Sequence, residues 1–208
     1  DRMRNLLLDP VEIDSERQVV MEERRTRTED DPDGLVSEEM MSLAFKAHPY
    51  RWPVIGWMED IRRIAPAELR TFYDIYYRPN NAILVVVGDF REKDMLGRIK
   101  AALGAPPQAE LPKLASAPLA PPATAQVLKD RPVRQANIVI GRRAIERADP
   151  DYYALQVGNY ILGGGGFASR LMEVVRARRG LAYSVSSELN ARAWPGDFQV
   201  VMGTANAT

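Results

Sequence analysis

Six of the 21 residues from Ala105 to Ala125, "APPQAELPKLASAPLAPPATA", are prolines. Each proline lacks a backbone N–H, fixes its own φ and drives the residue before it away from helical geometry. Such a stretch can neither continue a helix nor enter a central strand. With alanine filling most of the gaps it reads as an extended, semi-rigid tether. A chain of 208 residues is long enough for one large or two small domains. The tether therefore predicts three parts: residues 1–104, the linker 105–125, and residues 126–208.

Both flanks alternate helical and strand patterns. Before the tether, "SERQVVMEERRTRTEDD" predicts a charged helix from Ser15, capped by Asp14 or Ser15 and turning Val19, Val20 and the stem of Arg24 inward. Leu35–Lys46 repeats the helical spacing, "HPYRWPVIG" reads as an extended loop, and "PAELRTFYDIYYR" predicts a helix with Leu69, Phe72 and Tyr76 as its apolar stripe. An apolar strand is expected over Ala82–Val87, then a helix ended by Gly104. After the tether come a strand in "RQANIVIGRRAI", a helix capped by Asp149 with Pro150 at its first position, a glycine run with a further helix, and two strands turning at Trp194-Pro195-Gly196. The fold class is α+β, with each flank an incomplete unit. "DRMRNLLLDP" reads as the end of an amphipathic helix and "GDFQVVMGTANAT" stops after a strand, so a piece of a longer protein is expected.

Lys plus Arg and Asp plus Glu both number 28, which gives no support to a nucleic-acid binder. No apolar run is long enough to span a bilayer, and no transmembrane segment is expected. Cysteine is absent, which removes thiolate chemistry and Cys-based metal sites. His48 is the one histidine, so two-histidine zinc coordination cannot be assembled from this chain alone. In its Pro-Tyr loop, His48 reads as a structural hydrogen-bonding residue in preference to a metal ligand. Trp52, Trp57, Tyr76 and Tyr77 read as packing residues, and Arg24, Arg25 and Arg27 as a solvated helix face.

Two constellations carry chemistry. Glu16 and Glu23 lie seven apart, two helical turns, so both carboxylates point the same way. On a helix this charged they are either solvated or available to a metal. The second is "GGGGFASRLMEVVRARRGLAYSV", from Gly163 to Val185. It lacks the Gly-Lys-Ser/Thr of a phosphate loop, and a helix precedes it where that motif requires a strand. Either the glycines form a helix–helix turn, or they let the backbone pass close to another chain. A fold-back at Gly180 would bring the Arg176 guanidinium and the Tyr183 phenol into one cleft, both donating to a carbonyl or oxyanion.

"LGGGGFASRLMEVVRARRGLAYSV" resembles the second-half signature of the pitrilysin/insulinase (M16-type) family of zinc metallopeptidases, which includes mitochondrial processing peptidases and bacterial processing-type proteases. "SERQVVMEERRTR" is similar to the family helix that carries the distal zinc ligand, and "HPYRWPVIGWMEDI" and "FYDIYYRPNNAILVVVGDF" are similar to two further blocks in the family's order. The resemblance implies a fold of two related α+β half-domains closing like a clamshell around a chamber. Residues 1–104 would be the rear of the zinc-bearing half and 126–208 the front of the second. It implies Glu23 as a zinc ligand, Glu16 as its supporting carboxylate, and Arg176 and Tyr183 as the groups that hold the substrate backbone and the oxyanion. It implies zinc as cofactor and a peptide as substrate.

The family's His-X-X-Glu-His motif is missing and is expected upstream of Asp1, so the chain alone is expected to be inactive. The alternative is a non-catalytic scaffold or substrate-holding subunit of the same family. A second family subunit or another copy of this chain is the further partner implied. A bacterial origin would place it in the cytoplasm or periplasm.

Overall fold

Asp9 and Pro10 start the first helix. The Asp9 carboxylate accepts a hydrogen bond from the Val11 N–H at 2.8 Å, and Pro10 occupies the first helical position, where an N–H would have no intrahelical partner. Helix α1 therefore spans Pro10–Arg24, beginning five residues before the Ser15 expected from the sequence. The helical turns expected over residues 1–9 are not formed at Asn5–Asp9, and Leu8 has a φ of 54°. Pro10 disfavours helical geometry at the residue preceding it. The structure is a computed structural model that describes residues 3, 5–104, 110–113, 119–121 and 123–206. Much of the tether, 105–109, 114–118 and 122, lies outside the described residues, and its other residues form neither helix nor strand.

The chain divides into two compact units, Asp1–Met21 with Met58–Ser116, and Glu22–Trp57 with Ala117–Thr208. Beyond the start of α1, the first unit contains α2 (Met58–Arg63), α3 (Pro66–Tyr76) and α4 (Glu92–Leu103). Pro66 opens α3, and the Glu68 carboxylate reaches back to the Ala65 N–H at 2.7 Å. Its buried aromatic is Tyr73, whereas Phe72 of the expected stripe is exposed. Arg70 donates to the carbonyls of Leu6 and Leu7, and Arg17 to that of Ile64, tying the N-terminal segment to these helices. Gly104 ends α4 with a φ of 63°, as expected.

Ala82–Val87 forms neither helix nor strand, and Ile83 and Val87 are more than nine-tenths exposed. A strand needs a neighbouring edge for its N–H and C=O groups. Among the described residues this unit offers none.

The second unit is built on a three-stranded antiparallel sheet. Strands β1 (Gln135–Arg143), β2 (Ser184–Asn190) and β3 (Asp197–Ala205) lie in the order β1-β3-β2. Met202 of β3 sits opposite both Ile138 and Val185. The β2–β3 hairpin is held at its turn end by the Asn190 amide donating to Asp197 at 2.9 Å.

After α1 the chain widens into a π-helical turn, Arg25–Glu29, and enters α5 (Pro32–Ala44), where the Asp31 carboxylate caps the N–H groups of Asp33 and Gly34. α5 lies on β1. Gly141 leaves room there for Met40, whose sulfur occupies the place a Cβ would take. Phe45, just past the end of α5, is fully buried. Helix α6 (Tyr152–Asn159) begins after Asp149, whose carboxylate accepts from the Asp151 N–H. The fold is α+β, helices with an antiparallel sheet.

Candidate functional site

The glycine run begins where α6 winds into a π-helical turn, Tyr160–Gly164. A Cβ on Gly163 would lie 2.5 Å from the backbone nitrogen and Oγ of Ser187 and 2.8 Å from Leu171. Only glycine lets this turn lie directly on β2. Ser187 is fully buried there and donates through Oγ to the Asn159 side-chain oxygen at 2.7 Å. Gly166 has a different task. Its φ of 59° starts a short 3-10 turn, Gly166–Ala168. A Cβ on Gly165 would likewise lie 2.7 Å from the Tyr160 carbonyl oxygen, so the run serves the chain's own packing and turn geometry.

From Met172 to Arg178 the chain winds as a π-helix. Gly180, at φ 62°, ends it, and the Leu181 N–H donates back to Val175. The reversal feeds β2, whose first contact with β3 is the Tyr183 N–H donating to Gly203 at 3.0 Å. The fold-back brings Arg176 and Tyr183 together. The Arg176 guanidinium carbon lies 5.0 Å from the centre of the Tyr183 ring and 5.3 Å from that of Phe167. Both rings are exposed, Phe167 at 81% and Tyr183 at 76%. Among the described residues, no carboxylate pairs with the Arg176 guanidinium and no carbonyl accepts from it. A half-buried cation held by two aromatic faces keeps its N–H donors free for an incoming acceptor. Phe167 was not singled out from the sequence; its place directly after the glycines was the available signal.

Arg24 departs from the solvated face expected of it. It is 5% exposed and makes a two-pronged ion pair with Glu38, at 2.8 and 2.9 Å. It also donates to the Gly56 carbonyl and lies 5.7 Å from the centre of a Trp57 ring. The hydrogen bond that Arg24 donates to Glu38 raises the Arg24 pKa above its ordinary value, against an opposing desolvation. Glu23, the next residue back, is half-buried and ion-paired with Arg27 at 2.7 Å. Glu16 is exposed and has no ion pair among the described residues. His48 is buried, and its Nδ1 accepts from the Tyr50 N–H at 3.2 Å, the structural role expected of it.

The sequence profile of the peptidase M16 inactive domain matches residues 63–208. The chain belongs to the peptidase M16 family. An "uncharacterized zinc protease" of Mycobacterium leprae is 32% identical over 93% of this M16 chain and 43% of its own length. A protease from Helicobacter pylori of known structure superposes with a TM-score of 0.77 at 27% identity, over 96% of this chain and 48% of that one. The peptidase M16 inactive domain of Pseudomonas fluorescens gives a TM-score of 0.71 at 28% identity, over 95% of this chain and 47% of that one. The M16 chain thus spans about half the length of the relatives it matches.

Arg176, Tyr183 and Phe167 fall inside the stretch matched as the M16 inactive domain, whereas Glu16 and Glu23 lie before it. The relatives' names imply zinc for the family. Among the described residues no three His, Cys, Asp or Glu side chains gather as a metal site. Glu23 is engaged by Arg27, and His48 spends its Nδ1 on a backbone N–H. This M16 chain's residues therefore do not by themselves fit a zinc ion. Among the described residues no helix is long and apolar enough to cross a membrane.

Proposed function

We propose that this chain is the peptide-holding part of an M16 zinc endopeptidase. Arg176 and Tyr183 grip the substrate backbone and donate to the oxygen of the carbonyl under attack. The single observation that supports this most is the Arg176 guanidinium, stacked against two exposed rings with its donors unspent. Residues 1–104 would be the rear of the zinc-bearing half-domain, 105–125 the linker, and 126–208 the front of the second half. Glu23 would add one metal ligand to others supplied from outside this chain, and Glu16 would support it. The isolated chain would then bind peptide without cleaving it. In the full-length protein, Arg176→Ala and Tyr183→Phe are expected to retain zinc, measured by atomic absorption, while each lowers kcat/KM roughly tenfold, the worth of a hydrogen bond to a developing charge, ~1.5 kcal/mol. Unchanged turnover in both variants would sink the proposal.

A second reading, a substrate-holding or scaffold subunit without its own zinc site, is favoured by one observation. The Glu23 carboxylate is already committed to Arg27. Under that reading Glu23→Gln leaves the zinc content of the full-length protein unchanged; under the first it removes the metal.

A further inference from the structure

Phe167 is a large apolar side chain left in water by a rigid frame. Its turn is fixed by the left-handed Gly166 before it and by Ser169 after it. Ser169 is fully buried, donates its N–H to the Gly166 carbonyl at 3.0 Å, and accepts through Oγ from the Met172 N–H. The ring therefore stays exposed because the backbone on both sides is held. Its ring contact is with the Arg176 guanidinium, which also lies against Tyr183. The three side chains make a surface of two kinds: a cation with free N–H donors, and flanking aromatic area with nothing on it. An inorganic anion would use only the first. A peptide segment uses both when a backbone carbonyl meets the guanidinium and an apolar side chain next to that carbonyl lies on the Phe167 ring.

We propose that Phe167 is a specificity-determining residue of the peptide-holding site, aiming Arg176 at a substrate carbonyl and selecting a large apolar or aromatic residue beside it. This rests on the reading of Arg176 and Tyr183 as the groups that hold the peptide. Phe167 is a positioning residue with respect to Arg176, and the ring itself makes the selecting contact.

The test is binding, by isothermal titration calorimetry, of two unstructured twelve-residue peptides, acetylated and amidated at their ends, that differ only in a central Phe or Ala. The chain is expected to prefer the Phe peptide about fivefold, within the range for one aromatic pair. Phe167→Ala should abolish the preference and weaken the Ala peptide about twofold, as Arg176 loses one of its two rings. Phe167→Trp should restore both effects, and Phe167→Leu only the apolar preference. Because the ring is exposed, all three variants should keep the parent's urea midpoint. Equal binding of the two peptides by the parent chain, or a preference that survives Phe167→Ala, would overturn the selecting role and leave the Arg176–Tyr183 grip standing. Binding of neither peptide, or binding indifferent to Arg176→Ala, would bring down the grip itself and this inference with it.

Discussion

Glu38→Ala is expected to destabilise the second unit by about 3–5 kcal/mol, the range for stranding one partner of a buried ion pair. Arg24 would keep the Gly56 carbonyl, the Trp57 ring and Glu29 at 3.5 Å, but would lose both short bonds that neutralise it. Trp52, Trp57 and Trp194 all lie in this unit, so urea unfolding followed by tryptophan fluorescence reads it directly. The paired change of Arg24→Met with Glu38→Leu should recover most of the loss, since apolar groups of similar size leave no charge behind. A loss below about 1 kcal/mol for Glu38→Ala would mean the pair behaves as an exposed one. The pH dependence has a definite sign. The folded state raises the Arg24 pKa, so its contribution is complete below arginine's ordinary range and is lost only as pH rises through the raised value. Between pH 5 and 9 the Arg24 protonation contributes no slope.

Gly163→Ala is expected to cost about 2–2.5 kcal/mol, the upper end of the overpacking range less what helix propensity returns. The new methyl would meet a backbone nitrogen at 2.5 Å, in a strand that cannot give way without breaking its ladder to β3. Overpacking of this kind costs about 1–3 kcal/mol, and only part is returned by alanine's better helix propensity, about 0.5–1 kcal/mol. Gly166→Ala separates the two uses of glycine. A Cβ there has nothing within 4 Å, so its penalty is the left-handed backbone alone, about 1–2 kcal/mol. Urea midpoints of the two variants that reversed this order would refute the assignment of close packing to Gly163.

What the sequence disclosed follows the range of the forces involved. Local signals were readable: the proline that opens "PAELRTFYDIYYR" and so α3, Gly104 ending α4, and a hairpin turn at Trp194-Pro195-Gly196. The Pro10 start was also local, but the charged run from Ser15 drew the boundary five residues too late. Ala82–Val87 carries a strand's composition, yet composition cannot supply the neighbouring edge. Arg24 was misread because its burial depends on Glu38 and Gly56, 14 and 32 residues away in sequence. Within the candidate site, the spacing of Arg176 and Tyr183 around Gly180 suggested that they meet. The contact of Phe167 with Arg176 could not be read, since it depends on how tightly the turn at Gly166 closes and on the wider π-helical winding that places Arg176. Glu16 and Glu23 share α1 as their spacing required, but the ion pair of Glu23 with Arg27 was not anticipated.

The central position of β3 carries a consequence for kinetics. Successive amides along an antiparallel strand point to opposite neighbours, so β3 donates alternately toward β1 and toward β2. Deuterium uptake along this one strand therefore separates the fraying of its two edges. The amides directed at β2 keep time for the edge that begins with Tyr183, and those directed at β1 for the edge beneath α5. One strand thereby acts as two clocks, and the difference between them tells how much more readily the sheet opens at the edge next to Tyr183 than at the edge beneath α5.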